Sequence, residues 1–163
     1  MPPASTPQSS DPGKSGGKPD SSLPDGTAVM GGRQVDYWAA KAVKAQHTYM
    51  NFKLDSSNYW LVEAGPLPND ASKSGAWAKF GDWETRGERV RKTYSKAECK
   101  TVKDCLLATT TKYHDAELPY NPTGGPNSNS FMEHLTYKCS ELPKMFIWRD
   151  IAWDYWTKIT RPF

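Results

Sequence analysis

Acyl and amide chemistry needs a nucleophile, a base within hydrogen-bond reach of it, and a group that orients the base. Ser128, His47 and Glu63 can supply those three roles in this chain. Ser128 lies in Tyr120 to Cys139, YNPTGGPNSNSFMEHLTYKC, where a turn rich in Pro and Gly gives way to Asn127, Ser128, Asn129 and Ser130. Phe131, Leu135 and Cys139 then recur at four-residue steps, with Met132 beside them, which predicts a helix over 128–139. A loop that breaks into a helix leaves backbone N–H groups free at the helix start, and these can hold an anion or a developing oxyanion. Asn129 and Ser130 are the expected donors, with Asn127 beside them as a binding residue. The same residues also admit a purely structural account. Ser130 with Glu133 forms a capping-box pattern, and Asn127 or Ser128 are themselves good caps. If Ser130 is the cap, Ser128 stands just outside the helix with its hydroxyl uncommitted.

The base and its partner must be positioned by a hairpin. Gln46 to Leu54 alternates, with His47, Tyr49, Asn51 and Lys53 on one face and Thr48, Met50, Phe52 and Leu54 on the other. Asp55-Ser56-Ser57-Asn58 supplies turn chemistry, and Tyr59 to Glu63 reads as the returning strand, ended by Gly65-Pro66-Leu67-Pro68. A four-residue loop pairs positions whose numbers sum to about 113, which brings His47 to the Glu63–Pro66 end. Glu63 can then accept from one ring nitrogen and fix the tautomer. The structural alternative is a half-buried histidine bonded to a carbonyl, with Glu63 facing solvent.

Around this pair the expected elements are a short amphipathic helix over 33–45 and short strands and loops over 66–94. Ser95 with Glu98 opens a helix to about Tyr113, with Cys99, Val102, Leu106 and Thr109 or Thr110 inward. A C-terminal helical segment over 145–159 completes the set. The fold expected is α+β, a small antiparallel sheet packed against two or three helices. Residues 1–26, with six Pro, four Gly and six Ser, read as a disordered tail, and 27–163 as a single domain. Trp148, Trp153 and Trp156 offer an aromatic surface for a protein partner.

Composition narrows the classes. A net charge of +3 over 163 residues is too mild for a nucleic-acid binder, and Arg86, Arg89, Arg91, Lys92 and Lys96, interspersed with Glu84, Glu88 and Glu98, read as a solvated face. No apolar run reaches membrane-spanning length, and no basic start leads into an apolar stretch. A soluble protein is expected, cytoplasmic or exported by a dedicated system. Cys99, Cys105 and Cys139 match no zinc spacing, and His47, His114 and His134 do not complete one, so neither metal nor cofactor is expected. Cys105 and Cys139 lie on expected core helices, as buried thiols or as a disulfide. His114 and His134 are read as surface residues.

The order of these residues resembles the circularly permuted papain-like group related to NlpC/P60 and lecithin:retinol acyltransferase proteins. The resemblance runs through His47-Thr48-Tyr49, Asp55 to Pro66, and Asn127-Ser128-Asn129-Ser130-Phe131, and covers about 46–66 and 120–140. It implies a permuted papain-like fold acting on a peptide, lipid or other acyl or amide substrate. Ser128 stands in place of the family's nucleophilic cysteine and Glu63 in place of its third catalytic group. A serine hydroxyl loses its proton far less readily than a thiol, so it needs a base that removes the proton during attack. Two functions follow. One is a hydrolase or acyltransferase using Ser128, His47 and Glu63. The other is a catalytically silent papain-like binding domain.

Overall fold

A computed structural model describes residues 16–34, 46–121 and 126–144. It has an α+β architecture. Five antiparallel strands form one sheet in the order β4-β3-β2-β1-β5. They are β1 (Thr27–Gln34), β2 (Gln46–Lys53), β3 (Tyr59–Leu67), β4 (Asp70–Phe80) and β5 (Glu88–Thr93). Helices α1 (Lys96–Ala116) and α2 (Ser128–Lys138) pack on one face. The expected helix over 33–45 begins on β1 residues, and its remainder lies outside the described residues. So does the segment over 145–159 with Trp148, Trp153 and Trp156.

The β2–β3 hairpin forms as its turn chemistry predicts. Asp55 Oδ1 accepts the N–H groups of Ser57 at 2.8 Å and Asn58 at 2.9 Å. Those N–H groups, Ser57 first, hold the Asp55 carboxyl below its ordinary range. Met50 pairs with Val62 and Phe52 with Trp60, a register shifted by one residue from the expected one. The two-residue side-chain period then sorts β2 by face. Met50 and Phe52 join Ala28, Met30, Val62, Ala76 and Ala78 under Val102, Leu106, Phe131, Met132 and Leu135. Each fully buried side chain of this size stabilises the fold by about 2 kcal/mol. On the other face Leu23, Val29, Tyr59 and Trp83 make a smaller apolar cluster.

Four expectations are corrected. Residues 66–94 carry two full strands: Gly75, whose Cβ would meet Leu67 and Trp77 at 2.7 and 2.8 Å, hides the alternation of β4 by leaving a gap in it. Part of the expected tail, residues 16–26, is laid against the sheet, with Leu23 buried and the Gly26 N–H donating to the Lys53 carbonyl at 2.7 Å. Residues 1–15 lie outside the described ones. His134 is buried on α2, its ring 5.9 Å from that of Tyr113. His114 is half-buried, and its Nδ1 accepts the Ala76 N–H at 3.2 Å. With the Ser74 N–H donating to the Leu118 carbonyl, and the Tyr120 N–H to the Ser72 carbonyl, it covers the outer edge of β4, where open N–H groups would invite pairing.

Cys105 and Cys139 form a disulfide, which resolves the alternatives left open by their spacing. It ties the middle of α1 to the C-terminal end of α2. Cys99 remains a buried free thiol, and burial raises it above the ordinary thiol range. No described helix is long and apolar enough to cross a membrane.

Candidate active site

His47 and Glu63 meet on the sheet face opposite α1 and α2, which carries no helix among the described residues. His47 Nε2 lies 2.6 Å from Glu63 Oε1. A carboxylate only accepts, so the shared proton sits on Nε2; in a neutral ring Nδ1 is then the acceptor. The contact is diagonal: His47 stands opposite Arg33 on β1, and Glu63 opposite Trp77 on β4. Glu63 is 2% exposed and His47 17% exposed, so the carboxylate is buried and the imidazole sits at the rim.

Four charged residues not expected at the site complete it, Arg33, Lys79, Glu84 and Arg86. Arg33 Nη2 donates to Glu63 Oε1 at 3.3 Å, and Lys79 Nζ donates to Glu63 Oε2 at 3.3 Å. Arg33 Nε also lies 3.0 Å from Glu84 Oε1, and Arg86 Nη2 lies 2.9 Å from the same oxygen. Both carboxylates of this cluster are therefore held by fixed cations. Pairing with Glu84 raises the Arg86 guanidinium further above its ordinary range. Asn51 locks the Glu84 backbone from both sides, donating to its carbonyl at 2.8 Å and accepting its N–H at 3.0 Å. Arg33 escapes a sequence reading that assigns 33–45 to a helix, although Val29, Gly31 and Arg33 alternate against Ala28 and Met30. Lys79 belongs to the same hidden alternation as Trp77 on β4.

The start of α2 is built differently from its expected form. The cap is Asn127, not Ser130: Asn127 Oδ1 accepts the N–H groups of Asn129 at 3.0 Å and Ser130 at 3.2 Å, and Ser130 Oγ accepts the Asn127 N–H at 3.2 Å. The box therefore closes one turn earlier than Ser130–Glu133. The two N–H groups expected as oxyanion donors are engaged by this cap. Ser128 becomes the first helical residue, whose own N–H has no intrahelical acceptor.

Thr48 joins this helix start to β2. Its hydroxyl lies 3.3 Å from the Ser128 carbonyl and 2.9 Å from Asn129 Oδ1. Thr48 and His47 are consecutive strand residues and so face opposite sides of the sheet. The structure thus assembles two groups, His47 with Glu63 on one side and Asn127 to Ser130 on the other, one residue apart along β2. Among the described residues no hydrogen bond joins His47 to Ser128. Among the same residues no group of three or more His, Cys, Asp or Glu side chains is arranged to hold a metal ion.

No family model, curated protein or solved structure matches this chain.

Proposed function

We propose that the chain is a hydrolase or acyltransferase of an amide or ester bond, with His47 as base and Glu63 as the group that orients it. The observation that carries this reading is the 2.6 Å contact between His47 Nε2 and a Glu63 that is 2% exposed. A solvent-rim imidazole with one nitrogen committed to a buried carboxylate is placed for proton abstraction, which its other nitrogen performs when the ring is neutral. Ser128 is the proposed nucleophile. Its position as the first residue of α2 supports this assignment; the Thr48 tie, which meets Ser128 on the side of β2 away from His47, does not. Attack would join Ser128 Oγ to the acyl carbon and pass the Ser128 proton to His47 Nδ1, which would give it to the departing alcohol or amine as that bond breaks, leaving an acyl-serine for water or an acceptor to resolve. The likeness in residue order to the permuted papain-like group supports the same assignment.

The test is covalent labelling by a fluorophosphonate probe. Labelling is expected in the wild type, absent in Ser128→Ala, and slowed by about a hundredfold or more in His47→Ala. Label retained in Ser128→Ala would rule out this nucleophile.

A specific observation favours a second reading, the catalytically silent papain-like binding domain. Thr48 meets Ser128 on the side of β2 away from His47, and Asn127 fills the amides at the helix start. That reading expects no labelling of the wild type by any acyl or phosphonyl probe.

A further inference from the structure

Glu63 has more counter-charge than the pairing with His47 requires. A buried carboxylate must be compensated by a positive partner. Were His47 the sole neighbour, it would supply that charge by holding a second proton, and an imidazolium has no lone pair with which to act as a base. The structure meets the need another way. Arg33 from β1 and Lys79 from β4 each donate to Glu63, one to each oxygen. Arg33 is shared with Glu84, 3.0 Å from its Nε, but Arg86 also serves Glu84 through Nε and Nη2, at 3.4 and 2.9 Å. Two carboxylates thus face three fixed cations before His47 is counted. Also on this face among the described residues are Tyr49 of β2, kept protonated because burial first, and then Glu84 and Glu88, push its hydroxyl up, and Lys53, which donates to the Leu23 carbonyl and lies 3.6 Å from Asp25.

We propose that Arg33 and Lys79 are positioning residues of the His47–Glu63 pair, supplying the positive charge that leaves His47 neutral, with its Nδ1 lone pair free. The proposal rests on the reading of His47 as a base, yet it concerns the protonation of one ring and is measurable without any substrate. Arg33 stands directly opposite His47 in the β1–β2 register and lies 20% exposed, and Lys79 is 15% exposed. Both can be replaced by methionine, which keeps the apolar stem and removes the charge.

The experiment is ring-nitrogen NMR of the full chain labelled with 15N-histidine at pH 7.5, with His47→Ala used to assign the His47 signals. Wild-type His47 is expected to show one protonated nitrogen, Nε2, and one unprotonated nitrogen, Nδ1. In Arg33→Met and in Lys79→Met both nitrogens are expected to move to imidazolium positions, and Arg33→Lys is expected to return them most of the way. A His47 that stays neutral in both methionine variants, or that is already imidazolium in the wild type, overturns the proposal. Should Arg33→Met fail to fold, Lys79→Met decides alone. Probe labelling separates the two claims. Neutral His47 with the expected response and no labelling sinks the hydrolase and leaves the charge assignment standing. Labelling that falls about tenfold or more in the methionine variants at unchanged melting temperature supports both.

Discussion

On the helix-facing side of the sheet, Met50 and Phe52 of β2 sit fully buried among Val62, Leu106 and Phe131. On the opposite side Tyr49, Asn51 and Lys53 of the same strand are buried almost as deeply, at 1%, 0% and 2% exposure, yet each ends in a polar atom with a partner. Tyr49 donates to the Arg86 carbonyl, Asn51 brackets the Glu84 backbone, and Lys53 donates to the Leu23 carbonyl. One face therefore gains stability from area. The other spends its burial on holding segments 16–26 and 81–87, and the ion cluster, in fixed places. Candidate chemistry collects on that second face because a carboxylate can be buried there beside matched cations, which an apolar face would not allow.

If the division holds, the largest loss of stability lies on the apolar face. Phe131 is fully buried and meets Tyr113 edge-on, with ring centroids 4.8 Å apart. Phe131→Ala is expected to cost about 3–5 kcal/mol, read as a fall in denaturant midpoint. A cost below about 1 kcal/mol would mean that the helices are not where stability is stored, and would break the comparison.

Next is the disulfide, which pins the same two helices together. Cys105 and Cys139 close a loop of sequence separation 34. Reduction, or Cys105→Ser with Cys139→Ser, is expected to cost about 3–4 kcal/mol through the freedom returned to the unfolded chain. Melting with and without a thiol reductant measures it. Cys99 is buried with its thiol held protonated, so it is expected to resist alkylation until the fold opens.

The apolar face was the legible one. The four-residue steps of Phe131, Leu135 and Cys139 and the inward set Cys99, Val102, Leu106 describe helices whose pattern is set by burial, and burial is what hydrophobic periodicity records. The His47–Glu63 pairing was legible too, because a hairpin with a four-residue turn has few registers. The ion cluster was not. Its members come from four strands and a loop, Arg33, His47, Glu63, Lys79 and Glu84, and no local pattern links them. Charged residues on a strand read as solvent-facing unless the opposing strand is known. The cap of α2 was left open between Asn127, Ser128 and Ser130 for a nearer reason. Asn127 and Ser130 are as good a box as Ser130 and Glu133, and only the backbone decides between them.

A smaller effect separates the faces by pH. Tyr49 on the polar face and Tyr94 on the apolar face are both raised, first by burial and then by nearby carboxylates, Glu84 and Glu88 for one and Glu141 and Glu98 for the other. The unfolded chain loses these protons near pH 10 while the folded chain keeps them. Above that pH the unfolded state binds fewer protons, so stability falls as pH rises, and the contribution is intact below it. The denaturant midpoint is expected to drop between pH 9 and 11, with little change in tyrosinate absorbance until unfolding. Tyr49→Phe and Tyr94→Phe should each flatten that drop. If Tyr49→Phe does not, the polar face is open to water and the contrast drawn here fails.

The smallest effect lies at the helix start, where the two faces come closest along the chain. Asn127→Ala is expected to cost about 1 kcal/mol, since it strips one acceptor from the Asn129 and Ser130 N–H groups. Asn127→Asp keeps the acceptor and adds a negative charge at the positive end of the helix, so it should cost little or nothing. The pair of variants also weighs the two functional readings. Removing the cap releases two amides beside Ser128 while lowering stability slightly, so an enzyme that uses them as oxyanion donors should label as fast or faster in Asn127→Ala. Asn127→Asp should label more slowly, because its carboxylate repels a developing oxyanion more strongly than an amide does. Equal rates in both variants would place oxyanion stabilisation elsewhere, with the Ser128 N–H as the remaining helical donor.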